Sequence, residues 1–151
     1  MNGHDLHPLD HVALSADPID AEGLRRLVSD PGAGAVVVFL GTVRDHSEGR
    51  EGVTHLEYEA YEGVVEEKIR EIVREARDRW PAMLRCAVVH RVGSLPVGEI
   101  AVCVAVSAPH RDDAFESGRH LIDEVKARAP IWKKEYWPGG AEWVREDREH
   151  G

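Results

Sequence analysis

Hydrophobic and polar positions change period several times along the chain, and each change marks an element. Residues 11–15 alternate, which predicts a short edge strand. Asp17-Pro18 reads as a helix start, with Asp as N-cap and Pro at the first helical position; the helix runs through Leu24, Leu27 and Val28 to a stop at Asp30-Pro31-Gly32. Residues 34–43 (GAVVVFLGTV) are β-branched and apolar on both faces, predicting a central strand in which Gly41 marks a bulge or a close backbone approach. After Arg44 comes a polar loop, 45–52. Residues 53–61 alternate again, with Leu56, Tyr58 and Ala60 on one face and His55, Glu57 and Glu59 on the other. The longest helix is expected over 62–80, with Val65, Ile69, Ile72, Val73, Ala76 and Trp80 as its buried stripe and Pro81 closing it. Residues 84–92 and 99–107 read as two strands joined by the GSLPVG loop. A third helix follows until Pro130. The order β-α-β-β-α-β-β-α plus a tail predicts an α+β domain, a mainly antiparallel sheet covered by helices. Residues 1–10 are expected to be disordered, 11–144 to form one domain and 145–151 a tail.

Composition narrows the function classes. The chain has 151 residues, 42% hydrophobic and 31% charged, ordinary for a soluble globular domain. Its longest apolar run, 35–40, is too short to span a bilayer, and the polar, acidic start MNGHDLHPLD is no secretory signal. A net charge of −9 argues against nucleic acid as partner, since displacing counterions needs a basic face; a local basic pocket remains compatible with it. Cys86 and Cys103 lie in apolar alternating segments and read as reduced, buried thiols of a cytoplasmic protein, with a cross-strand disulfide as the alternative. Nine histidines invite a metal, but His4, His7, His11 and His150 sit near the ends and no HxxxH or CxxC stands on a predicted element, so no metal site is assigned. His90 reads as a structural, hydrogen-bonded strand-end histidine. No G-x-G-x-x-G, P-loop or G-x-S-x-G is present.

The chemistry concentrates in SAPHRDDAFESGRHLIDEVKARAPIWKKE, residues 107–135. Ala114, Phe115, Gly118, Leu121, Ile122 and Val125 recur at helical spacing and predict a buried face. Lys126 falls roughly 20° outside that arc, where partial desolvation favours the neutral amine. His110 and Arg111 stand at the helix start, where free backbone N–H groups favour an anion. Lys133 lies seven residues beyond Lys126, past the break at Pro130, so the chain can return it to the same pocket. The stretch reads as an anion site with one or two reactive amines; the plainer alternative is a surface helix with solvated lysines.

Four segments together resemble the family of large, catalytic subunits of molybdopterin synthase: GAVVVFLGTVRDH (34–46), LEYEAYEGVVEEKI (56–69), HRVGSLPVGE (90–99) and the 107–135 stretch, the most specific of them. The similarity runs from about residue 18 to residue 144. It implies an α/β hammerhead-type domain that needs no cofactor. The implied activity converts cyclic pyranopterin monophosphate to molybdopterin by installing two sulfurs as a dithiolene. The sulfur arrives as a thiocarboxylate on the C-terminal Gly-Gly of a small ubiquitin-like subunit, and the implied assembly is a homodimer carrying one small subunit at each end, a heterotetramer. Residue by residue, the family's two active-site lysines fall on Lys126 and Lys133, its anion-binding positions on Arg44, His110 and Arg111, and further pocket contacts on Lys134 and Glu135. Two other classes compete: a non-catalytic module that docks a ubiquitin-like sulfur carrier, and a small-anion or metal-binding regulatory domain.

Overall fold

The computed structural model describes residues 6–47 and 49–145. Thirteen elements follow in order: β1 (Asp10–Ser15), α1 (Ala21–Leu27), β2 (Ala35–Thr42), β3 (His46–Ser47), β4 (Arg50–Glu51), β5 (His55–Ala60), α2 (Val64–Arg79), β6 (Arg85–Arg91), β7 (Gly93–Pro96), β8 (Ile100–Ala108), α3 (Arg111–Arg128), β9 (Ile131–Trp137) and β10 (Gly140–Arg145). The strands form two four-stranded sheets, ordered β1-β6-β8-β2 and β10-β9-β5-β7, and a separate β3–β4 pair. Among the described residues only the β1–β6 pairing is parallel. The mixed α/β architecture with mainly antiparallel sheets is the expected class.

The core lies where α2, α3 and the inward faces of both sheets meet. Val65, Ile69, Ile72, Val73 and Ala76 of α2 are fully buried, as their spacing predicts. Truncating one of these isoleucines to alanine costs about 2–5 kcal/mol. Val88, Val104 and Val106 of the first sheet meet Leu121 and Val125 of α3 in the same cluster. On the sheet's other face, Ala87, Cys103 and Ala105 pack with Val28 and with Leu24 of α1. The α2 and α3 helices are tied at the surface by Arg128, whose guanidinium takes Glu75 with both Nη atoms. That pairing holds the Glu75 carboxyl below its usual range.

Several expectations change. The first helix begins at Ala21 rather than Pro18, because the Asp20 carboxylate accepts from the Gly23 N–H at 2.9 Å and so caps it. β2 is an edge strand, not a central one: it pairs with β8 alone, and Val36, Phe39 and Leu40 remain 37–40% exposed. Gly41 satisfies both readings of its position, since the register shifts between Gly41 and Thr42 and a Cβ there would lie 2.6 Å from Val102 Cγ1. Phe115, expected on the buried face of α3, is 61% exposed. Asp10, placed in a disordered start, opens β1 with its carboxylate 1% exposed and held by the Arg77 guanidinium. Residues 6–9 of the same start are placed as well, with Leu6 packed against the core and the Leu9 carbonyl accepting from the Cys86 N–H, whereas residues 1–5, and 146–151 with nearly all of the tail, lie outside the described residues. Finally, the segment after Pro130, for which no element was expected, forms the β9–β10 hairpin, and Gly93–Pro96 inside the GSLPVG loop is a strand paired with β5.

Candidate active site

A cleft of about 120 Å³ opens where the second sheet, the end of β2 and the last turn of α3 converge. Its walls include Thr42, Arg44, His46, Tyr58, Lys126, Lys133 and Glu135, with Gly41, Leu56 and Val102 among the remaining contacts.

Each charged group arrives by its own route. Arg44 stands two residues past β2, on backbone fixed by the Val43 N–H donating to the Glu99 carbonyl (2.9 Å) and the Gly98 N–H donating to the Val43 carbonyl (2.8 Å). Lys126 is half-buried in the last turn of α3, beside fully buried Val125. Ala129 leaves the helix in extended backbone and Pro130 cannot continue it, so the chain reverses into β9. β9 then pairs with β5, Lys133 opposite Tyr58 and Glu135 opposite Leu56, and all four side chains face the cleft. Lys133 is 3% exposed and Glu135 5%. Three cations and one carboxylate give the cleft a net charge of +2 inside a chain of −9. Exposure falls from Arg44 at the mouth through Lys126 to Lys133 at the floor. An anion is therefore drawn inward toward charges that water screens less and less.

The other sequence-selected residues are not in this cleft. His110 and Arg111 are exposed at the opposite end of α3, and the sixteen residues from His110 to Lys126 correspond to about 24 Å of helix. Lys134 points to the opposite face of β9, its Nζ 5.3 Å from the Tyr136 ring and 5.4 Å from the Trp143 ring. Thus Arg44, Lys126, Lys133 and Glu135 come together, and His110, Arg111 and Lys134 do not join them within one chain.

A profile of the MoaE family (MoaE protein) matches residues 14–128. The molybdopterin synthase catalytic subunit of Staphylococcus carnosus is 45% identical over 135 residues, 89% of each chain. The chain belongs to the MoaE family. The catalytic subunit of Drosophila willistoni is also 45% identical, over 93% of this chain, although the chain spans only 38% of that relative's length. Among solved structures, molybdopterin synthase from Staphylococcus aureus superposes with a TM-score of 0.81 at 40% identity, covering 87% of this chain and 94% of that one.

For this MoaE family member the sequence reading missed part of the cleft wall. Tyr58 was placed on a buried face, and that alternation was the only signal that it could reach the site. His46 and Ser47 belonged to a loop with no pattern to single them out. His90 is 2% exposed and its Nδ1 lies 2.7 Å from the Arg91 carbonyl, matching the structural role read for it; its ring also meets the Tyr58 ring edge-on at 5.0 Å. The two cysteines are free and buried, in different core clusters, which removes the disulfide alternative. Burial pushes the Cys86 thiol far up and the Cys103 thiol up to about 11. Neither is a ready nucleophile at neutral pH. Among the described residues no three His, Cys, Asp or Glu side chains group as metal ligands, and no helix is long and apolar enough to cross a membrane.

Proposed function

We propose that this chain is the catalytic subunit of a cytoplasmic molybdopterin synthase, a sulfurtransferase that converts cyclic pyranopterin monophosphate to the molybdopterin dithiolene. The sulfur donor is the C-terminal Gly-Gly thiocarboxylate of a small ubiquitin-like subunit. The observation that carries this reading is the convergence of Arg44, Lys126 and Lys133 on one cleft in a MoaE-family chain, although Arg44 and Lys126 are 82 residues apart.

Each transfer forms a carbon–sulfur bond on the pterin precursor. Water then cleaves the acyl–sulfur bond and leaves the carrier with an ordinary carboxylate. The nucleophile is the carrier's sulfur, in keeping with the buried, protonated cysteines here. Arg44 offers a planar fork to an anionic group of the substrate at the mouth. Lys126, on the half-buried rim, donates and accepts protons as oxygen leaves the substrate. Lys133, held on the floor by strand pairing, stabilises the negative charge that develops where sulfur attacks. Glu135 limits the positive charge of the floor.

His110 and Arg111 serve the same reaction from a second copy of the chain. Residue Ala35 at the start of β2 pairs with Ala108, two residues before His110, while Thr42 at the other end lines the cleft. Antiparallel pairing of two free β2 edges about a two-fold axis sets the start of one strand beside the end of the other. It also closes an apolar strand edge of a kind that proteins rarely leave open. Mixing Arg111→Ala and Lys126→Ala subunits tests this: heterodimers regain one intact site, so roughly a quarter of wild-type activity returns on random exchange. No recovery places Arg111 with the Lys126 of its own chain, and an Arg111→Ala homodimer that is active before mixing places it outside the reaction.

The reading as a whole is tested by incubating the chain with cyclic pyranopterin monophosphate and thiocarboxylated carrier. Dithiolene product supports it. Carrier binding without product leaves the docking-module alternative.

A further inference from the structure

We propose that Arg50 is a positioning residue for the reaction: it seats the β3–β4 hairpin so that His46 and Ser47 complete the wall of the cleft. The inference rests on reading the cleft as the reaction site.

β3 and β4 pair with each other, His46 opposite Glu51 and Ser47 opposite Arg50, and with neither large sheet. The hairpin's base is closed by the Val53 N–H donating to the Asp45 carbonyl at 2.8 Å, with Val53 buried. Gly49 and Gly52 both adopt positive φ, 76° and 73°, and give the short hairpin its turns. Among the described residues no strand pairing joins this hairpin to either large sheet. Arg50 joins it to the second of them from the side. Its guanidinium carbon lies 3.4 Å from the centroid of the Trp137 ring, and its Nη2 donates to the Glu142 carboxylate. Trp137 is the last residue of β9, the strand that carries Lys133 and Glu135 into the cleft, and Glu142 lies on β10 beside it. Arg50 therefore ties one wall of the cleft to the strand that forms its floor.

The chemistry suits arginine. A guanidinium presents a flat face to the indole and an edge to the carboxylate at once, whereas an ammonium keeps the charge without the plane. Each contact is partly exposed and individually weak. The hairpin is small, however, so even weak contacts set the fraction of molecules in which it is seated. Apparent affinity scales with that competent fraction, while chemistry in the bound complex is unchanged. Losing Arg50 should therefore raise KM and spare kcat.

The experiment compares wild type, Arg50→Ala and Arg50→Lys in the reconstituted synthase. It measures KM for cyclic pyranopterin monophosphate, kcat, and amide hydrogen exchange over residues 45–52. Arg50→Ala is expected to speed exchange in that segment and raise KM about three- to tenfold, with kcat within about twofold. Arg50→Lys should recover part of both effects. Wild-type exchange in Arg50→Ala, or faster exchange with unchanged KM, overturns the proposal. Failure of the underlying reading looks different: wild type itself makes no product, whatever the exchange shows, and Arg50 then has no role in this reaction.

Discussion

The two four-stranded sheets face a common core but fill their inward positions differently. The first sheet turns Val88, Val102, Val104 and Val106 toward the helices, all 0–3% exposed. The second turns in Leu56, Tyr58 and Ile131, and then Lys133 and Glu135, which are as hidden as their apolar neighbours. Removing charge from water is costly, and apolar residues of similar volume would hold the strand at least as well. The first sheet follows the folding pattern along these valines, and its buried polar exceptions, such as the Asp10 carboxylate and His90, are held by the Arg77 guanidinium and beside the Arg91 carbonyl. The second departs from it where the cleft lies, as functional sites do. Charge buried for structure and charge buried for chemistry should then respond differently to substitution.

The largest effect belongs to structure. Arg77→Ala leaves the Asp10 carboxylate, 1% exposed, without the guanidinium that ties β1 to α2, and it also strips the Met83 and Leu84 carbonyls of a donor. A loss of about 3–5 kcal/mol in urea unfolding is expected, the range for breaking a buried pair. A loss below about 1 kcal/mol would make that pair no different from a surface one.

Next comes the pair on the cleft floor. Replacing Lys133 and Glu135 together, by Met and Leu, should leave stability unchanged or raise it by about 1–4 kcal/mol. The same double variant should make no detectable dithiolene. A strong loss of stability would show that the two charges hold β9 in place, and the contrast between the sheets would disappear.

The smallest effect concerns the thiols. Burial raises Cys103 from an ordinary 9.0 to about 11 and Cys86 further. A thiol raised in the folded state contributes stability that is complete below its unfolded value and fades as pH climbs through the folded one. Stability should therefore be flat to about pH 9 and decline toward pH 11, and native protein at pH 8 should resist alkylation until unfolded. Rapid labelling of the native protein at pH 8 would contradict this.

How much of this was legible in the sequence follows the same division. β5, α2, β6, β8 and the body of α3 announce themselves because their buried residues are apolar at the right period. β9 does not: its inward positions include Lys133 and Glu135 while Trp132 and Tyr136 face the other way, so the alternation reads as a polar tail carrying tryptophans. β2 looks central because its second apolar face resembles core, and sequence does not distinguish a strand flanked on both sides from an apolar one at the sheet edge. His110 and Arg111 read as one site with Lys126 because they share one helix, but a helix separates its ends as firmly as it connects them. Arg44 joins Lys126 only through the pairing of β2 with β8 and the seating of α3 against that sheet, contacts that no local pattern encodes.

The proposed mechanism requires that Lys126 do chemistry rather than support the fold. Lys126→Ala should be measured for dithiolene formation with wild-type carrier and precursor, alongside its melting temperature. We predict a loss on the order of 10²-fold or more in product formation, as for removal of a general acid or base, with an unchanged melting temperature because the side chain is only half-buried at the helix end. Turnover near wild type, from a protein folded as wild type, would contradict the account.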